Sequence, residues 1–160
     1  MKKTILINPE QTELKLPTAY IPLNLAYLAA VLEENCIDVN ILNLANTKNV
    51  EDIEFPNVEY VGITCSSATY KSVKRLTIAI REKTDSKIII GGVHPSVNPI
   101  EVCNEIKPDI TVMGEAEYLL PSIVKGKVKT EKIMNAGIIN DLNSIPLPAR
   151  HLFSRDEVID

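Results

Sequence analysis

Apolar and polar positions follow two different periods along this chain, and the switches between them mark out its elements. "TILIN" (4–8) is a continuous apolar run closed by Asn8 and Pro9. "PLNLAYLAAVLEEN" (22–35) instead places Leu25, Leu28, Ala29 and Leu32 at the spacing of one helix face, with Pro22 suited to a first turn. "DVNILNL" (38–44) and "YVGIT" (60–64) read as a second and a third strand. "SVKRLTIAIREK" (72–83) returns to the helical period, with Val73, Leu76 and Ile80 on one face. "KIIIGG" (87–92) is a fourth strand, "PIEVCNEI" (99–106) a short helix, "DITVMG" (109–114) a fifth strand and "EAEYLLPSIV" (115–124) a last helix. Strands that are apolar on both faces and separated by helices belong to a parallel sheet covered on both sides. The pattern therefore predicts a doubly wound, Rossmann-like (flavodoxin-like) α/β domain with a five-stranded parallel sheet over residues 1–130. Residues 131–160 break the rhythm, and read as a short hairpin around Asn135 to Gly137 followed by an extended, proline-punctuated tail leading away from the sheet.

Composition narrows the function classes. A chain of 160 residues buries a core without metals or disulfides, and 45% hydrophobic against 24% charged residues is a globular balance. The net charge of -4 gives no general attraction to nucleic acid or to an anionic membrane, so neither is expected as a partner. Cys36, Cys65 and Cys103 form no CxxC or CxxxCxxC pattern, which removes the usual zinc and iron–sulfur sites and leaves buried free thiols in a reducing cytoplasm as the expectation. The apolar stretch before Asn8 and Pro9 is too short for a signal peptide or a membrane span.

In this fold class a ligand occupies the crevice at the carboxyl ends of the strands, where the strand order reverses. That points to the loops after Asn8, Thr64 and Gly91. The first, running to Ile21 with Pro9 and Pro17, is long against the roughly two to six residues usual for such connections. The second, "TCSSATY", offers small residues and hydroxyls that let a ligand approach and be hydrogen-bonded. At the third, the missing Cβ atoms of Gly91 and Gly92 mark close approach by a ligand or by a neighbouring element. Each feature also has a structural explanation: a positive-φ turn for the glycines, a helix cap for Ser66, Ser67 and Thr69, turn formation for His94 and Pro95, and a favourable helix dipole for Glu115 and Glu117. No GxGxxG or GxxxxGK[ST] loop follows any strand, which takes away the usual support for dinucleotide or P-loop binding.

Six segments in this order, "ILINP", "PLNLAYLAAVLEENCIDVNILNL", "YVGITCSS", "IIIGGVHPSVNP", "DITVMGEAEYLLPSIV" and "LNSIPLPARHLF", carry a resemblance that covers almost the whole chain. They resemble the cobalamin-binding domain found at the N-terminus of B12-dependent radical S-adenosylmethionine (radical SAM) enzymes. The resemblance implies cobalamin held between the strand ends and a catalytic barrel, with its nucleotide tail threaded into the sheet. It implies that Thr64, Ser66 and Ser67 meet the tail, that Gly91 and Gly92 leave room for it, and that the loop at Gly114 lines its far side. The segment from Pro9 to Pro22 would lie under the corrin face. The candidate cofactor contacts are thus Asn8, Pro9, Pro17, Thr64, Ser66, Ser67, Gly91, Gly92, Val93, His94, Met113, Gly114 and Glu115. On this reading a side chain at position 92 blocks the tail and leaves the fold intact.

Two departures shape the expectation. No DxHxxG motif follows the first strand, and the only histidines, His94 and His151, lie elsewhere, so no protein imidazole is expected below the cobalt. The CxxxCxxC motif of a radical SAM barrel is missing, which makes the chain a cofactor carrier without catalysis of its own, acting for a radical SAM catalytic domain or subunit. Two other classes remain open at this point. One is a B12-free interaction or regulatory module that docks through the tail from Ile138 onward, and the other is a flavin or nucleotide binder, disfavoured by the lack of a phosphate-cradling loop.

Overall fold

Five strand runs predict five strands, and the computed structural model, which describes residues 3–11 and 21–153, has those five and one more. The strands are β1 (Lys3–Asn8), β2 (Asp38–Asn43), β3 (Tyr60–Thr64), β4 (Lys87–Gly91), β5 (Ile110–Met113) and β6 (Ile133–Asn135). They form one parallel sheet in the order β2-β1-β3-β4-β5-β6. The order reverses between β1 and β3, which places the crevice where the sequence put it.

Five helices connect the strands: α1 (Leu23–Glu34), α2 (Tyr70–Lys83), α3 (Val93–Val97), α4 (Pro99–Glu105) and α5 (Leu119–Val124). One sheet face, with Leu6, Tyr60, Ile89 and Val112, packs under α1 and α5 through Leu25, Ala29, Leu120 and Ile123. The other face, with Ile7, Val61, Ile63, Ile88 and Ile90, packs under α2 and α4 through Val73, Leu76, Ile80 and Val102. Each fully buried Leu or Ile among these contributes roughly 1.5–3 kcal/mol, so the two layers supply most of the driving force.

The C-terminal part differs from expectation in two respects. The turn at Asn135 to Gly137 is present, with Gly137 N–H donating to Asn135 Oδ1 at 2.9 Å and Gly137 at φ +76°. It does not join the arms of a hairpin, because the residues before it form β6, an edge strand parallel to β5. Thr111 N–H donates to Lys132 O at 2.8 Å and Ala136 N–H to Met113 O at 2.9 Å, so β6 completes donors and acceptors that β5 would otherwise leave open. The segment after it does not lead away from the sheet. It crosses α1, where Ala149 N–H donates to Ala26 O at 2.9 Å and Ala149 and Phe153 are buried. Pro146 and Pro148 lack the N–H that a helix needs, which suits the stretch to this extended crossing. The cover explains why α1 buries Ala26, Ala30 and Val31 as well as the face it turns to the sheet.

The strand ends are held together at Gly92. Cys65 N–H donates to Gly91 O at 2.8 Å and His94 N–H to Cys65 O at 3.1 Å, which draws the ends of β3 and β4 into contact. A Cβ on Gly92 would lie 2.7 Å from Cys65 O, and Gly92 has φ +113°. Position 92 therefore faces the backbone of β3, and the expectation that a side chain there spares the fold does not hold. We expect Gly92→Ala to lower stability in urea unfolding by about 1–3 kcal/mol. Gly91→Ala, with its nearest neighbour at 3.8 Å and no positive φ, should change it little. Equal midpoint shifts for the two variants would remove this explanation of the glycine pair.

Candidate functional site

Between the sheet and helices α1 and α5 lies a cavity of about 740 Å³. Its floor is made by Leu6, Gly62, Ile89 and Val112 on adjacent strands, and its walls by Leu25 and Leu28 of α1 and by Ala116 and Leu120 at α5. Gly62 pairs with Ile89 and Thr64 with Gly91 across β3 and β4, so the two glycines point to the same face one step apart. Leu6 leans over Gly62, where a Cβ would meet its Cδ2 at 2.8 Å, while a Cβ at Gly91 would meet Val112 only at ordinary contact distance, 3.8 Å. Gly62 was absent from the sequence-based site because "YVGIT" reads simply as a strand. A glycine in a strand interior is nonetheless a mark of close approach.

Polar groups ring the mouth. Asn24 in the first turn of α1 donates from Nδ2 to Thr64 Oγ1 at 2.9 Å, so helix and strand end hold each other across the opening. Ser66 and Thr69 are tied to each other: Ser66 N–H donates to Thr69 Oγ1 at 3.0 Å and Thr69 N–H to Ser66 Oγ at 3.3 Å. Ser66 thus lines the cavity while serving the turn into α2. Ser96 Oγ donates to Gly92 O at 2.8 Å and accepts from Gly114 N–H at 3.0 Å, linking the loops after β4 and β5. Gly114 has φ +81°, and a Cβ there would run into the Gly137 backbone, whose carbonyl accepts from Glu115 N–H at 2.9 Å. The Glu115 carboxylate accepts from Ile139 N–H.

The expected site residues divide between this cavity and other places. Thr64, Ser66, Gly91, Gly92, Val93, Gly114 and Glu115 line it, and Val93 and Val97 remain 69% and 76% exposed at its mouth. Asn8 is buried at the β1–β2 edge, donating from Nδ2 to Asn43 Oδ1 at 2.9 Å, with Pro9 buried beside it. Ser67 Oγ lies 3.0 Å from His94 Nδ1, and the imidazole is buried against Tyr70, ring centroids 4.6 Å apart, with Nε2 3.3 Å from Glu101 Oε2. Neither Ser67 nor His94 reaches the cavity, and Met113 does not line it either. Pro17 lies outside the described residues. Asn24, Gly62, Ser96 and Glu117 line the cavity without having been expected there. Only spatial neighbours distinguish Asn24 and Ser96 from ordinary helix residues.

Among the described residues, Cys65, Glu115 and Glu117 are the titratable side chains on the cavity wall, with no Lys, Arg or His beside them. Burial pushes the Cys65 thiol up to about 12. Glu117 is also raised, first by burial and then by the charge of Glu115, against the opposing pull of its own backbone amide.

A glycine-floored cavity at the switch point of a parallel sheet is consistent with the match to the model of the B12 binding domain, which covers residues 14–124. The chain belongs to the B12 binding domain family. Cobalamin, the cofactor expected from the sequence, is the ligand for which this family is named. An uncharacterised protein of Methanocaldococcus jannaschii is 34% identical over 87 residues, which is 52% of this chain and 17% of that protein. Among solved structures, the radical S-adenosylmethionine methyltransferase TsrM from Kitasatospora setae, with cobalamin and a [4Fe-4S] cluster bound, matches with a TM-score of 0.68 at 20% identity. That match covers 78% of this chain and 26% of TsrM. The cobalamin-dependent S-adenosylmethionine radical enzyme OxsB, with aqua-cobalamin and S-adenosylmethionine bound, matches with a TM-score of 0.73 at 17% identity, over 93% of this chain and 24% of OxsB. The B12 binding domain thus spans a small fraction of each of these relatives. Among its described residues no helix is long and apolar enough to cross a membrane.

The cysteines of this B12 binding domain differ from expectation, since only Cys65 is buried and Cys36 is exposed. A buried thiol with its pKa near 12 is almost wholly protonated at about pH 8 and shut off from reagent, whereas Cys36 is open to it. Iodoacetamide should therefore label Cys36 within minutes and Cys65 only after unfolding, as read by mass spectrometry of peptides. Rapid labelling of Cys65 in the native chain would contradict its placement in the cavity wall.

Proposed function

We propose that the chain holds cobalamin at the carboxyl ends of β1, β3, β4 and β5, with the nucleotide tail in the cavity beneath α1 and α5, and presents it to a radical SAM catalytic domain or subunit. The observation that carries this reading is a cavity of about 740 Å³ floored by two glycines, Gly91 and Gly62, the second with Leu6 leaning over it. That volume lies within the roughly 300–1,000 Å³ typical of small-molecule sites. The apolar walls suit an aromatic base, and the polar mouth at Asn24, Thr64 and Ser66 suits the sugar and phosphate that follow it. Gly91 would leave room for the tail, Gly92 and Val93 would border it, and Gly114 and Glu115 would close its far side. The segment from Pro9 to Pro22, including Pro17, would lie under the corrin.

Bound cobalamin would supply methyl-transfer or radical chemistry, and the chain would position and shield it. The coverage of about a quarter of TsrM and OxsB supports the need for a catalytic partner, with residues 131–160 as the connection towards it. Free Cys36, Cys65 and Cys103 support a cytoplasmic setting, and the net charge of -4 supports a function without nucleic acid. The exposed Ile138, Leu142 and Leu147 favour a second reading, in which the chain is a B12-free interaction module docking through its tail.

Incubation with hydroxocobalamin followed by desalting separates the two. The carrier retains the red colour in stoichiometric amount and the module does not. Gly91→Val, with a branched side chain that suits a strand but fills the cavity, should weaken cobalamin binding about tenfold or more while leaving circular dichroism unchanged. Undiminished binding would remove the cavity from the reading.

The lower face of the cobalt gives a separate test. An imidazole ligand must come within about 2 Å of the metal. His94 is enclosed by Ser67, Tyr70 and Glu101, and His151 is bound to Glu33 near the C-terminal end of α1, 2.8 Å away. A helix that follows β1 in a parallel sheet runs back from the crevice, so that end lies towards the amino-terminal ends of the strands. Electron paramagnetic resonance of bound cob(II)alamin should therefore lack nitrogen splitting of its cobalt lines, and His94→Ala should leave the spectrum unaltered. Triplets that vanish in His94→Ala would make His94 the ligand.

A further inference from the structure

Glu117 has a buried oxygen that nothing among the described residues satisfies. Glu117 lines the cavity, and its Oε2 has no hydrogen-bond partner among the described residues. The groups around the cavity offer it little: α1 brings Asn24, Leu25 and Leu28, and the sheet brings Leu6, Ile89 and Val112. Its one charged neighbour on the wall is Glu115, already engaged by Ile139 N–H, and the Cys65 thiol is neutral. One N–H of the Asn24 amide goes to Thr64 Oγ1. A carboxylate in such surroundings avoids its desolvation penalty by taking up a proton.

The nucleotide tail of cobalamin would bring acceptors into this cavity: the oxygens of an anionic phosphodiester, and the ring nitrogen left free when the benzimidazole is off the cobalt. An ionised Glu117 would repel the first and could donate to neither. A neutral carboxyl has one O–H to donate and adds no second negative charge. We propose that Glu117 binds the nucleotide tail as a neutral carboxylic acid, donating its O–H to an acceptor atom of that tail. The inference rests on the cobalamin reading of the cavity and adds to it the residue that recognises the tail.

The protonation directions fix the expected pH behaviour. A carboxyl raised in the folded chain destabilises the fold as pH climbs through the interval between its unfolded and folded pKa, and it loses the proton needed for binding over the same rise. Wild type should therefore bind cobalamin more weakly towards the upper end of a series from about pH 5 to about pH 8, relative to Glu117→Gln. The Gln variant, whose amide N–H still donates, should bind with little loss and without that added pH dependence. Glu117→Leu should bind complete cobalamin about five- to tenfold more weakly, leave affinity for tail-less cobinamide unchanged, and raise the melting temperature of the cobalamin-free protein.

Cobinamide phosphate, which carries the phosphate without the base, distinguishes the acceptors. A Leu effect that persists with it assigns the phosphate, and one that disappears assigns the ring nitrogen. Equal losses for cobalamin and cobinamide, no loss for either, or binding by wild type that strengthens with rising pH relative to Glu117→Gln would overturn the proposal. Failure of wild type to bind complete cobalamin would instead overturn the cobalamin reading itself, and this inference with it.

Discussion

The cavity depends on two missing side chains on one face of two adjacent strands. A parallel sheet is stable only when both faces are covered, and covering helices normally interdigitate with the side chains beneath them. Gly91 offers no side chain to interdigitate with and Gly62 only the Leu6 side chain that leans over it, and α1 and α5 span the gap on Leu25, Leu28 and Leu120. The opposite face has no such gap among its core residues, since Val61, Ile63, Ile88 and Ile90 fill it against α2. The same two strands thus close the core on one side and open it on the other.

Keeping that opening in shape falls to other glycines, with a different physical role. Gly92 lets the backbone after β4 lie against Cys65, and Gly114 lets the backbone after β5 lie against Gly137. Each contact is accompanied by main-chain hydrogen bonds, from Cys65 and His94 in the first case and from Glu115 in the second. The loops that ring the mouth are therefore fastened by backbone, and side chains add to the fastening. Ser96, bonded to both Gly92 and Gly114, couples the two fastenings.

Much of this was legible in the sequence, because long elements advertise their period. β1 to β5, α1, α2 and α4 follow directly from runs and spacings, and the crevice follows from their alternation. Short elements do not. Val93–Val97 contains a proline and is a single turn, β6 has three residues, and α5 begins only at Leu119 because Glu115 is held to Gly137. Within the site, the glycine pair was found but its two members could not be told apart, since the difference lies in φ and in a neighbour 27 residues away, Cys65 at Gly92. Glu117 was indistinguishable from a residue favoured at a helix N-terminus until its environment was known.

The parallel edge strand and its turn bear on what counts as one unit. The repeating part of the sequence ends near α5, yet the backbone that steadies Glu115 belongs to Gly137, and the segment that covers the outer side of α1 includes Ala149. Both walls of the cavity are thus propped by residues that contribute nothing to the alternating pattern. A piece cut at the border of that pattern would carry the floor of the cavity without the supports of its walls. The stretch of chain that holds the cavity intact is longer than its alternating strands and helices.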